Sequence, residues 1–162
     1  MKKIIVLLSV LVLASCSSAV PKELALIKDQ DMLKIYYPVG WTAADGLGGG
    51  VVVENENQTI SIPINIQQYQ GAKKNNVESI PEIMAIARKP AQGVKMNIKR
   101  ISGLQCIWME STVLDQVIIN TFVPLDNAII SITTIPRKNG DTDVTAKDLE
   151  LARMIIENME IK

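Results

Sequence analysis

The chain has 162 residues, with 17 basic and 17 acidic side chains, no histidine, two cysteines and 48% hydrophobic residues. That length predicts one domain, large enough to bury a core without disulfides. Balanced charge with no block of like charges argues against capture of nucleic acid, which needs a concentrated basic patch. The missing histidine removes the usual base or ligand of catalytic triads and zinc sites.

Met1, Lys2 and Lys3 make a short positive start, and Ile4 to Ala14 is an apolar run whose one polar member is Ser9. As a helix this run spans about 16 Å, well short of the roughly 30 Å hydrocarbon core of a bilayer. Residues 1–15 therefore read as an export leader, not a transmembrane helix. The leader ends Leu13-Ala14-Ser15-Cys16, which resembles the lipobox of bacterial lipoproteins at every position. The resemblance implies that the Cys16 thiolate takes a diacylglycerol as a thioether. Cleavage then falls between Ser15 and Cys16, and the new amine is open to acylation. A single chain binds a membrane marginally, whereas two or three anchor stably at about 0.8 kcal/mol per buried CH₂. The plainer alternative is a chance cysteine behind an ordinary secretory leader. By resemblance to diderm lipoproteins, Ser17 in place of Asp permits transfer to the outer membrane. In an envelope with two membranes, that puts the domain on the periplasmic face.

Residues 16–23 are the lipidated N-terminus and tether, and 24–162 the folded domain. Leu24 to Lys28 and Met32 to Tyr37 flank Asp29-Gln30-Asp31 as a strand hairpin. Pro38-Val39-Gly40 breaks the pattern before Trp41, and four glycines fall between Asp45 and Gly50. Val51 to Val53 and Thr59 to Gln67 are β-rich. In the second run Ile60, Ile62, Ile64 and Ile66 alternate with polar positions, and Pro63 suggests a sheet edge. Ser79 and Glu82 are spaced as a capping box for a first helix that Pro90 stops near Arg88 or Lys89. Its apolar stripe is Ile80, Ile83, Met84 and Ala87.

Four strands follow: Val94–Ile101, Leu104–Thr112, Gln116–Val123 and Ala128–Ile135. Ser102-Gly103, Asp115 and Pro124 to Asn127 supply the turns, and the short spacing predicts consecutive antiparallel pairing. Arg137 to Asp143 is a polar loop. Thr145 and Asp148 form a second capping box, and Leu149, Ala152, Ile155, Ile156 and Met159 line the closing helix.

The segment Ile35-Tyr36-Tyr37-Pro38-Val39-Gly40-Trp41, a strand closing on Tyr-Pro-x-Gly-Trp, resembles the entry of the PsbP-like family, which includes DcrB-type bacterial proteins. The resemblance extends over Leu24 to Ile161, but only this heptapeptide is specific. It implies an α+β fold, an antiparallel sheet of six to seven strands flanked by two helices. That fold is used by accessory, adaptor and chaperone-like proteins more than by enzymes. Read from the residues alone, the heptapeptide is structural: Pro38 ends a ladder, Gly40 frees the backbone and Trp41 buries a ring.

Candidate chemistry is sparse. With Cys16 lipidated, Cys106 has no disulfide partner, and without a histidine base it reads as core, sharing a strand face with Leu104 and Trp108. Asp141, Asp143 and Asp148 lack the spacing of a calcium loop, so no metal and no cofactor is expected. Gly46 to Gly50 lacks the Lys-Ser/Thr of a phosphate loop and reads as a hairpin loop. These features predict a non-catalytic binding or adaptor protein, held at the membrane by lipid on Cys16 and docking an envelope protein. Gly48, Gly49, Tyr69 and the Asn75-Asn76 loop are the candidate partner contacts. Two alternatives stay open: a small-ligand or lipid carrier with a deep apolar cavity, and an enzyme using acids such as Glu54, Glu56 or Glu110.

Overall fold

The computed structural model describes residues 19–89, 93–138 and 142–162; the leader, Ser15 and Cys16, Pro90 and Asp141 lie outside the described residues. The chain opens with Leu26–Asp29 (β1) and Leu33–Tyr37 (β2), the expected hairpin. Trp41–Asp45 (β3) and Val51–Asn55 (β4) follow, joined through the glycine loop. Next come Ile60–Gln68 (β5) and the helix Pro81–Arg88 (α1). The meander is Lys95–Ile101 (β6), Leu104–Val113 (β7), Gln116–Leu125 (β8) and Ala128–Thr133 (β9). The short Ile135–Pro136 (β10), the helix Ala146–Asn158 (α2) and Glu160–Ile161 (β11) complete it.

The main sheet runs β3-β4-β5-β9-β8-β7-β6, with β10 added beside β5, and every pairing is antiparallel. A separate sheet, β1-β2-β11, joins the first hairpin to the C-terminus. Register sorts the side chains. Trp108 faces Thr121, Thr121 faces Ile132 and Ile132 faces Ile64, so these share one face. That face packs against Leu33 and Ile35 of β2 and Ala152, Ile155 and Ile156 of α2, all buried. Ile107 and Ile129 point the other way, under Ile80 and, from α1, Met84 and Ala87. The two helices therefore cover opposite faces. Each fully buried aliphatic side chain contributes about 1.5–3 kcal/mol, so the larger cluster dominates stability. Among the described residues no helix is long and apolar enough to cross a membrane.

Several local expectations are corrected. Pro63 is not at an edge, because β5 lies between β4 and β9. The strand tolerates it because its partner ladder is split there: Ile64 pairs with Ile132 and Ser61 with Ile135, and Ile62 and Pro63 between them pair with neither β9 nor β10. Ser79 does not cap α1. Its hydroxyl donates to the Asn76 carbonyl (2.6 Å) and accepts from the Lys73 amide (2.8 Å), while Asn76 caps a one-turn 3-10 helix over Val77–Ser79. Pro124 and Leu125 belong to β8 instead of a turn, since both pair with β9. The capping box at Thr145 and Asp148 is present.

Candidate functional site

The antiparallel registers gather the Ser102-Gly103 turn, the Asp126-Asn127 turn and the Gly46–Gly50 loop at one end of the main sheet. Gly48 and Gly49 have φ +64° and +78° and close a 3-10 turn with the Gly50 amide donating to the Leu47 carbonyl (3.1 Å). They line a cavity of about 560 Å³ with Lys28, Asp29, Gln30, Met32 and Asp45. Two of its acids are paired with lysines: Lys28 sits 2.5 Å from Asp45, and Lys162 pairs with Asp29 and donates to the Gln30 carbonyl (2.8 Å); Asp31 lines it as well. The Lys28 ammonium, with the Gln30 amide donating at 2.6 Å, holds the Asp45 carboxyl below its ordinary value. A cavity of this size suits a small ligand.

Tyr69 is not at the rim of that cavity. It is half-buried against α1 and Ala72, and its hydroxyl oxygen is buried without a hydrogen-bond partner. Asn75 and Asn76 are likewise tied down. Asn75 Oδ1 accepts from the Gln105 amide (2.8 Å) and Asn76 Oδ1 from the Glu78 amide (3.1 Å).

Two of the three acids weighed for catalysis, Glu54 and Glu110, are held by cations, whereas Glu56 lies beside Gly40. Glu54 meets Arg137 at 3.3 Å. Glu110 accepts from Arg153 (3.0 Å) and from the Trp108 indole (2.8 Å), and the Arg153 hydrogen bond lowers its carboxyl below the usual range. A general acid needs the opposite shift, toward the operating pH. Cys106 is fully buried, and burial pushes its thiol up to about 11, so it is core.

Chain patterning did not single out the opposite end of the sheet. The β7–β8 turn has Leu114 and Asp115 at its centre, with φ +49° and +63°. Such turns favour Asn-Gly, because a leucine in the left-handed region costs about 1–2 kcal/mol. Leu114 is 92% exposed, and Val113 and Ile135 at the same end are 50% and 38% exposed. Leu114 borders a cavity of about 250 Å³ lined by Val117, Pro136, Val144 and Leu149 together with the polar Asp115, Gln116 and Asp143. The available sequence signal was the wrong residue type at a two-residue turn.

No protein-family model matches the chain, and no curated protein matches its sequence. Among solved structures, it is similar to a Bacteroides thetaiotaomicron protein at 12% identity and TM-score 0.46, covering 81% of this chain and 45% of that one. It is also similar to the solution structure of the cyanobacterial PsbP protein (CyanoP) of Synechocystis, at 14% identity and TM-score 0.53. That match covers 93% of this chain and 99% of that one. The fold is PsbP-like. The Tyr-Pro-x-Gly-Trp entry behaves accordingly: Gly40 has φ +86°, the Trp41 amide donates to the Pro38 carbonyl (3.2 Å), and Trp41 is buried in the main core.

Proposed function

We propose that the chain is a lipid-anchored, non-catalytic binding domain of the cell envelope, an accessory or adaptor subunit that docks a protein partner through the Val113-Leu114 hairpin tip. The observation that carries this reading is Leu114. An exposed leucine held at positive φ beside a cavity of mixed polarity is a local cost that folding does not require, and such strain concentrates at functional sites. The pairing of Glu54 and Glu110 with arginines supports the non-catalytic part. The lipobox at Leu13 to Cys16 supports the anchor, and by the Ser17 argument the periplasmic face of the outer membrane where there are two membranes.

The test is a photocrosslinking amino acid at position 114 of the full-length lipidated chain, read in cells by mass spectrometry beside a Cys16→Ala control. One stoichiometric envelope partner, captured from position 114 and lost in the control, is expected. Equal adducts from position 114 and from an exposed polar site such as Glu150 would reject the docking surface. A second reading, a small polar ligand between Lys28, Asp29 and the glycine loop, is favoured by the 560 Å³ cavity. Extraction and mass spectrometry of the purified protein checks it.

A further inference from the structure

We propose that the glycine-loop end of the domain is its bilayer-contacting face, with Leu47 seated in the lipid headgroup layer and Met32 beside it. This rests on the lipid anchor at Cys16. The chain itself supplies the constraint. Val20 packs against the main core and lines a cavity of about 290 Å³ with Arg100, Ser102, Gly103 and Met159. Only four residue steps separate it from Cys16, at most about 14 Å of extended chain. A lipid on Cys16 therefore holds Val20 within that distance of the membrane surface and keeps the Ser102-Gly103 turn, across the cavity from it, on the membrane side.

The rest of that end follows by direct contacts. The Ile161 amide donates to Ser102 Oγ (3.0 Å), and the Lys162 amide donates to the Met32 carbonyl (3.0 Å). Met32 in turn lines the cavity whose other wall is Gly48 and Gly49. Leu47 begins the 3-10 turn of that loop and is 89% exposed; Met32 is 39% exposed. The Gly46 amide donates to the Gly50 carbonyl (2.8 Å) and the Gly50 amide to the Leu47 carbonyl, so the loop is closed on itself and Leu47 is its outward side chain. The strained Leu114 turn lies at the other end of β7, a strand of ten residues and so about 30 Å away. Anchoring makes membrane contact intramolecular, so one leucine and one methionine set orientation where they would not recruit a free protein. Lys28 and Lys162 are paired with Asp45 and Asp29, and the nearby Asp31 and Lys74 are of opposite sign, so no net charge drives the contact and little dependence on salt is expected. A partner reached from this end must itself sit at the membrane surface, whereas the Leu114 tip faces away from it.

The test uses the full-length lipidated protein in vesicles of phosphatidylethanolamine and phosphatidylglycerol containing a spin-labelled lipid. Leu47→Cys and, as the far-end control, Leu114→Cys are labelled with an environment-sensitive fluorophore; Cys106 is buried and Cys16 is blocked by its lipid. Position 47 is expected to show blue-shifted emission and several-fold stronger quenching than position 114, unchanged in high salt. Because the fluorophore is itself apolar, Leu47→Asp combined with a label at Met32→Cys asks whether the native leucine matters; several-fold weaker quenching at position 32 is expected. Vesicle-bound, lipidated protein quenched equally at 47 and 114, or more at 114, overturns the orientation and leaves the anchor standing. Protein of unlipidated mass that fails to float with vesicles overturns both.

Discussion

Gly50→Ala tests whether the glycine loop is shaped by close packing or only by glycine's backbone freedom. Gly50 has φ −82°, a conformation open to any residue, so an added methyl costs nothing in the backbone. The cost is contact: its Cβ would stand 2.1 Å from the Ile64 carbonyl oxygen and 3.2 Å from Asn65 Cα. Ordinary carbon–oxygen contact needs more than an ångström beyond that, and the obstacle is backbone in a central strand. Relief requires parting β4 from β5 where Val51 faces Ile64, both fully buried. Overpacking of this kind costs about 1–3 kcal/mol, and the rigid obstacle places Gly50→Ala at the upper end. Gly49→Ala is the comparison. Nothing lies within 4 Å of its added Cβ, but φ is +78°, so its cost is the left-handed penalty of about 1–2 kcal/mol. Urea unfolding of the domain without its leader, followed by the fluorescence of buried Trp41 and Trp108, reads both. At about 2 kcal/mol per molar urea, Gly50→Ala should lower the midpoint by about 1 M or more. A Gly50→Ala protein within about 0.5 kcal/mol of the parent, or less destabilised than Gly49→Ala, would refute the packing argument.

Other substitutions probe single interactions. Thr121 Oγ1 and the Tyr69 hydroxyl are buried without partners, so Thr121→Val and Tyr69→Phe should leave stability unchanged or raise it by about 1–2 kcal/mol in the same titration. Glu110 has its folded-state pKa depressed by Arg153, so its contribution is present above the unfolded value of about 4.3 and is lost as pH falls through the lower folded value. Glu110→Gln should therefore cost about 1 kcal/mol at pH 7, and the gap from the parent should close as pH falls through the depressed folded-state value in acid titrations of stability. The Cys106 thiol, at about 11, should resist a thiol-specific disulfide reagent at pH 8 in the folded protein and react fully in denaturant. Fast labelling of folded protein would contradict its place in the core.

The meander was legible because its apolar residues alternate and its turns carry Ser-Gly, Asp and Asp-Asn, where the structure puts positive φ at Ser102, Asp115 and Asn127. The heptapeptide was legible because Pro38, Gly40 and Trp41 each do something only that residue type does. Residues 41–45 carry no strand signature, since Trp-Thr-Ala-Ala-Asp has no period-two contrast; β4 pairing decides it. Nor does sequence reveal that β2 leaves the main sheet to pair with the last residues of the chain, because that contact spans more than 120 positions. Pro63 misled for an instructive reason. A missing donor argues against a continuous ladder, but the partner here is two short strands in one register, β9 and β10. Ser79 misled because a better acceptor geometry, Asn76 with Ser79 itself bonded back to Lys73, lies just upstream.

Leu47 and Leu114 differ in a way that separates their roles. Leu47 sits in ordinary backbone and is displayed by the glycines after it, so replacing it with a polar residue leaves the loop's hydrogen bonds intact. Leu114 is itself the residue at positive φ, so Leu114→Gly or Leu114→Asn relieves strain while removing the side chain. Folding alone would therefore favour glycine or asparagine at position 114, and would be indifferent at 47. A leucine kept against that preference is a stronger pointer to contact with a partner than exposure by itself. The glycine loop needs the further argument of the four-residue tether before its leucine means anything.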